Sequence, residues 1–217
     1  MLFTGITIAL FELLKIDIKQ FYFEQIAVWA LAAIPMLSTY LVQNNPQLVN
    51  KISPTIARIF TPLVFITLLV FLAALMYTGK NIYNDRNFLL LFNALLIIVM
   101  AIILFSLTEA TKNASSKLNL IMLFGLSLLT IIANAMALSA IAFRLSEFGI
   151  SPNRLAVLGA NLLMFVHLLF VSYGLIKNLK GKASIQDVEK EIALFIPAYA
   201  VWAAFVTFAM PYIFNFK

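Results

Sequence analysis

The strongest constraint on the fold is a series of long apolar stretches that contain no charge. No charged residue occurs between Arg86 and Glu109, and similar stretches recur along the chain. About 20 such residues form a helix of about 30 Å, which matches the hydrocarbon core of a bilayer. Hydrophobic residues make up 63% of the chain and charged residues 11%, whereas about a quarter of a soluble domain is charged. We therefore expect an integral membrane protein.

Six segments are long enough to span a bilayer, and none has the two-residue alternation of a membrane strand. The predicted spans are about 22–43, 54–77, 86–110, 117–143, 152–178 and 189–215. These lengths fit helices, whose backbone groups are satisfied within one segment. The connections are short, which favours antiparallel packing of successive helices. The sequence predicts an all-α polytopic transmembrane helical bundle that forms a single domain over residues 1–217.

A shorter apolar segment, 2–14, precedes the first predicted span. As a helix it would be about 20 Å long, which is too short for a core of about 30 Å. Two interpretations fit this segment. It is either a helix that lies in the membrane interface or the remainder of a truncated spanning helix.

The composition excludes several kinds of site. The chain has no cysteine, which excludes disulfides, thiolate nucleophiles, iron–sulfur clusters and cysteine-based zinc sites. A single histidine is too few for a typical metal site, so neither a metal nor a cofactor is expected. The net charge is +6, and the basic residues lie in short loops, where they would contact lipid headgroups rather than nucleic acid. The expected partners are membrane lipids, together with either other membrane proteins or further spans of a longer chain.

The loop between the fourth and fifth predicted spans reads RLSEFGISPNR, residues 144–154. Cap chemistry accounts for its turn. Gly149 suits the left-handed position that ends a helix, and Ser151 followed by Pro152 suits the start of the next one. We therefore predict a tight helical hairpin at this point.

The same loop gathers three charged side chains, Arg144, Glu147 and Arg154. Arg144 and Glu147 are three residues apart on one helix face and can pair. Arg154 would lie in the first turn of a helix, where the dipole opposes a cation and favours a nearby anion. Two interpretations are open: an Arg–Glu–Arg clamp that fixes the hairpin, or a functional site that binds an anion from a lipid or a substrate.

Asp85 and Arg86 belong to the same membrane side as this loop in the predicted topology, and they are further candidates for anion binding. Asp85 is also a natural N-cap, because its carboxylate would meet the positive end of the helix dipole. On the opposite side, Arg58 and Glu109 are a candidate ion pair. The alternative for these two is that each side chain reaches the membrane interface independently.

Three polar residues lie well inside the predicted spans: Asn93, Asn134 and His167. A buried asparagine needs a hydrogen-bond partner, usually on a neighbouring helix, and a role in substrate binding is the alternative. His167 lies about 20 Å along its helix from Arg154, near the bilayer midplane. A neutral imidazole there could relay protons, hold a polar ligand or bond a neighbouring helix. Small residues spaced four apart also predict a close contact between the fourth and fifth spans: Ala133, Ala137, Ala156 and Ala160.

The chain resembles an uncharacterised family of bacterial multispanning membrane proteins, domain of unknown function four-one-five-three. The resemblance lies in three stretches: RIFTPLVFITLLV, YNDRNFLLLFN and AIAFRLSEFGISPNRLAVLGANLLMFVHLL. The recurrent loop of that family resembles Arg-x-x-Glu-Tyr-Gly-Leu-Thr-x-x-Arg. Four of its positions are matched by Arg144, Glu147, Gly149 and Arg154, and three carry mild changes at Phe148, Ile150 and Ser151. The resemblance runs from about 55 to 170. It implies a multi-pass location in a bacterial inner (cytoplasmic) membrane and a C-terminal portion of a longer architecture, with no activity, substrate or cofactor.

Three functions are open. The leading hypothesis is a non-enzymatic membrane protein that transports or handles an envelope component, and no residue is assigned as catalytic. The first alternative is a membrane enzyme that acts on a lipid-linked anionic substrate, with Arg144 and Arg154 on the phosphate and Glu147 or Asp85 as general base. The shortness of the loops disfavours that alternative. The second alternative is a non-catalytic membrane assembly partner, for which the small-residue contacts suffice.

Overall fold

A computed structural model describes most of the chain, and the regular elements in the described part are all helical. The described residues are 2–29, 32, 33, 35, 36, 39, 40, 52–83, 85–112 and 116–215, with side chains outside 2–4, 26 and 52–58. The helices are α1 (Leu2–Leu13), α2 (Lys19–Phe21), α3 (Ile52–Thr78), α4 (Arg86–Lys112), α5 (Lys117–Phe148), α6 (Pro152–Leu179), α7 (Ile185–Ala193), α8 (Ile196–Ala204) and α9 (Met210–Ile213). π-Helical turns follow α2 at Tyr22–Ala27 and join α8 to α9 at Phe205–Ala209. The predicted all-α class is confirmed.

Five helical stretches among the described residues are long and apolar enough to cross a membrane. They are Ile59–Thr78, Arg86–Thr111, Lys117–Phe148, Pro152–Leu179 and Ile185–Ile213. These correspond to five of the six predicted spans, and the sixth, 22–43, lies partly outside the described residues. The helix predicted over 117–143 continues to Phe148, because charged side chains at a helix end can reach the interface without ending the helix. The chain is a multi-pass membrane helical bundle.

The turn between α5 and α6 has the predicted cap chemistry. Gly149 has a φ of 72°, a left-handed conformation that glycine adopts without strain. The Ser151 hydroxyl accepts a hydrogen bond from the Arg154 backbone N–H at 3.4 Å, and Pro152 begins α6. The reversal places the end of α5 directly beside the start of α6.

α5 and α6 then pack against each other as an antiparallel pair. The hydroxyls of Ser127 and Ser172 lie 2.8 Å apart, and two of the small residues on α5, Ala133 and Ala137, are fully buried. Small residues at such positions let two helix backbones approach closely. The predicted close contact between these two helices is confirmed on the α5 side.

The smallest side chain on the facing stretch of α6 serves a different neighbour. A Cβ placed on Gly159 would lie 1.9 Å from Cζ2 of Trp202, so the indole fills the space beside this glycine. Nε1 of Trp202 also donates to the carbonyl of Ala156 at 3.2 Å. Ala156 and Ala160 are only half-buried. The structure therefore places α8, which the small-residue prediction left out, at this turn of α6.

The apolar core is centred on Phe71 of α3. Its ring centroid lies 5.6 Å from that of Phe11 in α1, 6.2 Å from Phe88 and 5.8 Å from Phe92, both in α4. Aromatic rings at such separations pack favourably. Leu10 of α1 is fully buried in the same cluster. The short N-terminal helix therefore contributes to the core of the bundle.

The last candidate span, Ile185–Ile213, contains a break at Leu194 and Phe195 between α7 and α8. Pro197 lies in the first turn of α8. A proline has no backbone N–H, so it cannot donate the hydrogen bond that would continue the preceding helix. The span is therefore two helical pieces rather than one regular helix.

The two pieces differ in how they are covered. In α7, Val188 is buried, and a Cβ added to Gly174 of α6 would lie 2.6 Å from its Cγ1. Beyond the break, large apolar side chains are mostly exposed, including Val201 at 70% and Phe208 at 71%. An apolar face that the described residues leave uncovered suits contact with lipid. α7 thus anchors the span to the bundle, and α8 and α9 present its membrane-facing part.

Candidate functional site

A groove of about 570 Å³ opens at one end of the bundle, where α4 and α6 begin and α5 ends. Its polar lining consists of Arg86, Asn93, Arg144, Ser151, Asn153 and Arg154. Its apolar lining consists of Leu89, Leu90, Ala94, Ile97, Ile141 and Val157. Three of these side chains are cationic, and none of the described side chains that line the groove is a carboxylate. We call this feature the arginine groove.

The arginine groove brings together some of the residues predicted from the sequence and leaves others apart. The predicted candidates that line it are Arg86, Asn93, Arg144 and Arg154. The candidates that do not line it are Asp85, Glu147, Asn134 and His167. The groove therefore combines the charged loop 144–154 with the start of α4, as the predicted topology suggested.

Arg154 closes the α5–α6 hairpin through the backbone. Its Nη1 donates to the carbonyls of Phe148 and Gly149, each at 2.7 Å. The guanidinium also lies 5.5 Å from the centroid of the Phe148 ring. Carbonyls at the C-terminal end of a helix lack intrahelical donors and carry negative partial charge. A cation in the first turn of α6 is stable here because the end of α5 supplies the negative charge.

The guanidinium of Arg144 has fewer hydrogen-bond acceptors among the described residues than that of Arg154. Its side chain is half-buried, and Nη1 is buried without a hydrogen-bond partner among the described residues. The Phe148 ring lies 5.8 Å from the guanidinium carbon. Such a cation–π contact offsets only part of the cost of removing a guanidinium nitrogen from water. Among the cations that line the groove, Arg144 is therefore the one that an added hydrogen-bond acceptor would stabilise most.

The predicted Arg–Glu–Arg clamp does not form among the described residues, because Arg154 bonds backbone carbonyls instead of Glu147. The Glu147 side chain is exposed, and no ion pair joins it to Arg144 or Arg154 in the described part of the chain. An exposed ion pair contributes little, because water screens it and two long side chains must be ordered. The two backbone carbonyls at the end of α5 offer Arg154 a better acceptor set than the Glu147 carboxylate.

Asp85 has the predicted role of N-cap. Its Oδ1 accepts from the Phe88 backbone N–H at 2.9 Å, and its Oδ2 lies 2.9 Å from Nζ of Lys80. The same ammonium also donates to the carbonyl of Leu13, at the end of α1. The hydrogen bond from Phe88, aided by Lys80, holds the pKa of Asp85 below its usual range, although burial partly opposes this. Lys80 compensates the charge of Asp85, which does not line the arginine groove.

The intramembrane asparagines form contacts of two kinds. Asn93 donates through Nδ2 to the Leu89 carbonyl at 2.8 Å, and its Oδ1 is buried without a partner among the described residues. Asn134 donates to Oδ1 of Asn161 at 3.4 Å, which is the predicted bond between helices. Asn161 in turn donates to the Val157 carbonyl at 2.9 Å. Asn161 was missed by the sequence analysis, although a third asparagine within an apolar stretch was a sufficient signal.

His167 is fully buried and held by aromatic residues of the last span. Its Nδ1 lies 3.2 Å from the hydroxyl of Tyr199, and its ring centroid is 4.8 Å from that of Phe195. This arrangement matches the interpretation in which the imidazole bonds a neighbouring helix. Tyr199 was not identified from the sequence, because neither residue reveals which face of its helix meets the other.

Two further predictions concern the opposite end of α4 and metal binding. Glu109 is buried there, but the side chain of Arg58 lies outside the described residues, so their pairing stays a prediction. Within the ranges that the structure describes, no group of three or more His, Asp or Glu side chains could hold a metal ion.

Comparison with known proteins adds no relative to this picture. The groove and the loop that borders it are therefore interpreted from their own chemistry. No family model, no curated protein and no solved structure matches this chain.

Proposed function

We propose that the arginine groove binds an anionic group at the membrane surface, and that the protein transports or handles an envelope component in a bacterial inner membrane. One observation carries this proposal. Nη1 of Arg144 is buried, without an acceptor among the described residues, in a groove that Arg86 and Arg154 also line. A buried guanidinium nitrogen without an acceptor is destabilising by about 1 to 3 kcal/mol, and a phosphate or carboxylate oxygen would remove that penalty.

The helix ends around the groove support the same choice of ligand. α4 begins at Arg86 and α6 begins at Pro152, so two helix N-termini open at this end of the bundle. Their dipoles place positive partial charge near the three guanidinium groups. The C-terminus of α5, which borders the groove, has two of its carbonyls bonded to Arg154. The field inside the groove therefore favours an anion.

Binding is better supported than catalysis at this site. A general base would have to reach a substrate in the groove. Asp85 is engaged by Phe88 and Lys80, and Glu147 is exposed outside the groove lining. The exposed apolar face of α8 suits lipid as well as it suits a protein partner, so it does not favour the assembly-partner alternative.

The proposal is tested by anion binding to the purified full-length chain in a nonionic detergent. We expect dodecyl phosphate to raise the unfolding temperature of the wild-type protein. Arg144→Gln should weaken the binding of this probe by roughly tenfold to a hundredfold, the value of a charge-assisted hydrogen bond. Lys177→Gln is the matched control, because it removes one positive charge at the far end of α6, where Lys177 lies 4.5 Å from the Tyr173 ring centroid.

The proposal fails if Arg144→Gln and Lys177→Gln bind dodecyl phosphate as well as the wild-type protein. Equal weakening by both variants would show attraction by net charge rather than by the groove, and that would also contradict it.

A further inference from the structure

The arginine groove is open sideways towards the membrane. α4 and α6 both pack on α5 and hardly on each other, which leaves a gap between them. Leu90 and Ile97 line the groove on the α4 side and are 62% and 56% exposed. An apolar side chain that both lines a groove and remains exposed marks where the groove meets the hydrocarbon core. A ligand in the bilayer could therefore enter without first leaving the membrane.

The α4 wall of the groove is polar where the helix begins and apolar further along the helix. Arg86, Leu90 and Ile97 are separated by four and seven residues, so they form one stripe along the helix. At about 1.5 Å per residue, the stripe extends about 16 Å from Arg86, or about half the thickness of the hydrocarbon core. Its length and its order of polarity match one leaflet of a bilayer, with a headgroup at the arginines and a chain along the leucine and isoleucine.

Asn93 adds a polar requirement partway along this wall. It lines the groove about 10 Å along α4 from Arg86, and its Nδ2 is already bonded to the Leu89 carbonyl. Its Oδ1 is buried and has no donor among the described residues. An acceptor left unsatisfied in such surroundings is destabilising, so a ligand that donates an O–H or N–H to it would gain affinity.

We infer that the ligand of the arginine groove is a phosphate-bearing lipid that enters between α4 and α6. Its phosphate binds Arg86, Arg144 and Arg154. Its chain lies along Leu90 and Ile97, and a hydroxyl or amide N–H near the phosphate donates to Asn93. This inference rests on the proposed function and names the substrate class for the same site.

The first test compares a lipid phosphate with a soluble one, using the full chain in nonionic detergent. Dodecyl phosphate should bind at least about tenfold more tightly than inorganic phosphate, because its chain buries apolar surface in the groove. Ile97→Ser should weaken dodecyl phosphate binding by about three- to tenfold and leave inorganic phosphate binding unchanged. Ile66→Ser is the matched control, since Ile66 on α3 is 60% exposed and lies outside the groove lining.

The outcomes separate this inference from the proposed function. In one outcome, inorganic phosphate binds as tightly as dodecyl phosphate, and Ile97→Ser changes dodecyl phosphate binding no more than Ile66→Ser does. The ligand is then a soluble anion from the aqueous phase. The lipid inference is then overturned, while an effect of Arg144→Gln still supports anion binding. If Arg144→Gln affects neither probe, the proposed function fails together with the inference.

The second test concerns the donor to Asn93. An alkyl phosphate of the same length that carries a hydroxyl beside the phosphate should bind wild-type protein about tenfold more tightly than dodecyl phosphate. Asn93→Leu should abolish that difference. If Asn93→Leu weakens both lipids equally, or leaves the preference for the hydroxyl intact, the donor role of the ligand is overturned.

Discussion

The loops at 79–85 and 144–154 lie at the same end of the bundle and both carry charge. Their charged groups differ in the partners that they have. In the first, Lys80 and Asp85 pair with each other and with the backbone of two helices. In the second, Arg154 bonds two carbonyls, while Arg144 has a buried nitrogen without an acceptor in the described part of the chain. The first arrangement joins helices. The second leaves a buried guanidinium nitrogen that none of the described residues accepts a hydrogen bond from.

The largest effect on stability is expected when the carboxylate of the first loop is removed. Asp85→Ala deletes the N-cap of α4 and leaves the half-buried Lys80 without its ion-pair partner. We expect it to lower the free energy of unfolding by about 2 kcal/mol, measured by denaturant titration in mixed micelles. Glu147→Ala is the control from the second loop, and it should change this free energy by less than about 0.5 kcal/mol. Equal effects of the two variants would contradict the contrast between the loops.

Replacing either of the two arginines of the second loop should have different effects on the free energy of unfolding. Arg154→Met removes two hydrogen bonds to the end of α5 and should lower the free energy of unfolding by about 1 to 2 kcal/mol. Arg144→Met replaces a guanidinium, whose buried nitrogen has no acceptor among the described residues, with an apolar chain of similar length. It should leave the stability unchanged or raise it slightly, while anion binding is lost. A larger loss of stability for Arg144→Met than for Arg154→Met would reverse our assignment of their roles.

A polar contact deep in the bundle should behave like the first loop. Tyr199→Phe removes the hydroxyl that lies 3.2 Å from Nδ1 of His167. The expected decrease in the free energy of unfolding is about 1 kcal/mol, with no effect on dodecyl phosphate binding. Tyr77→Phe is a suitable control, because Tyr77 is 92% exposed. Reduced lipid binding by Tyr199→Phe would link the His167 region to the ligand and would contradict its purely structural role.

The smallest expected effect is a dependence of stability on pH. Because the pKa of Asp85 is lowered from its usual 3.8, its ionised form stabilises the fold fully above that pH, and this contribution is lost as the pH falls through the folded-state value. Asp85→Asn can still cap α4 but carries no charge. Its unfolding temperature should lie below that of the wild-type protein by a constant amount near neutral pH, and the gap should narrow below about pH 4. A gap that stays the same below about pH 4 would contradict this role of the Asp85 charge.

Local chemistry was readable from the sequence. The hairpin at Gly149 and Ser151 and the cap at Asp85 depend on residues within about four positions of one another, and their backbone preferences are specific. The side of the membrane shared by Arg86 and the 144–154 loop followed from counting spans. These two kinds of information were enough to locate one end of the candidate site before any contact between helices was known.

Partners on other helices were not readable in the same way. The tyrosine that holds His167 and the indole beside Gly159 both come from α8. In a span that is apolar on every side, hydrophobic periodicity does not show which face meets a neighbour. The partners of Arg154 were missed for a different reason. Backbone carbonyls at a helix end are invisible in a search for complementary charges.

The contact between Trp202 and α6 gives the protein an internal optical reporter. The indole donates to the Ala156 carbonyl, one residue before Val157 in the groove lining. The chain has two tryptophans, and the other, Trp29, is 70% exposed. The tryptophan emission of a Trp29→Phe variant would therefore come from Trp202 alone. Ligand entry beside Val157 could then be followed by intrinsic fluorescence in real time, without attaching a dye to the protein.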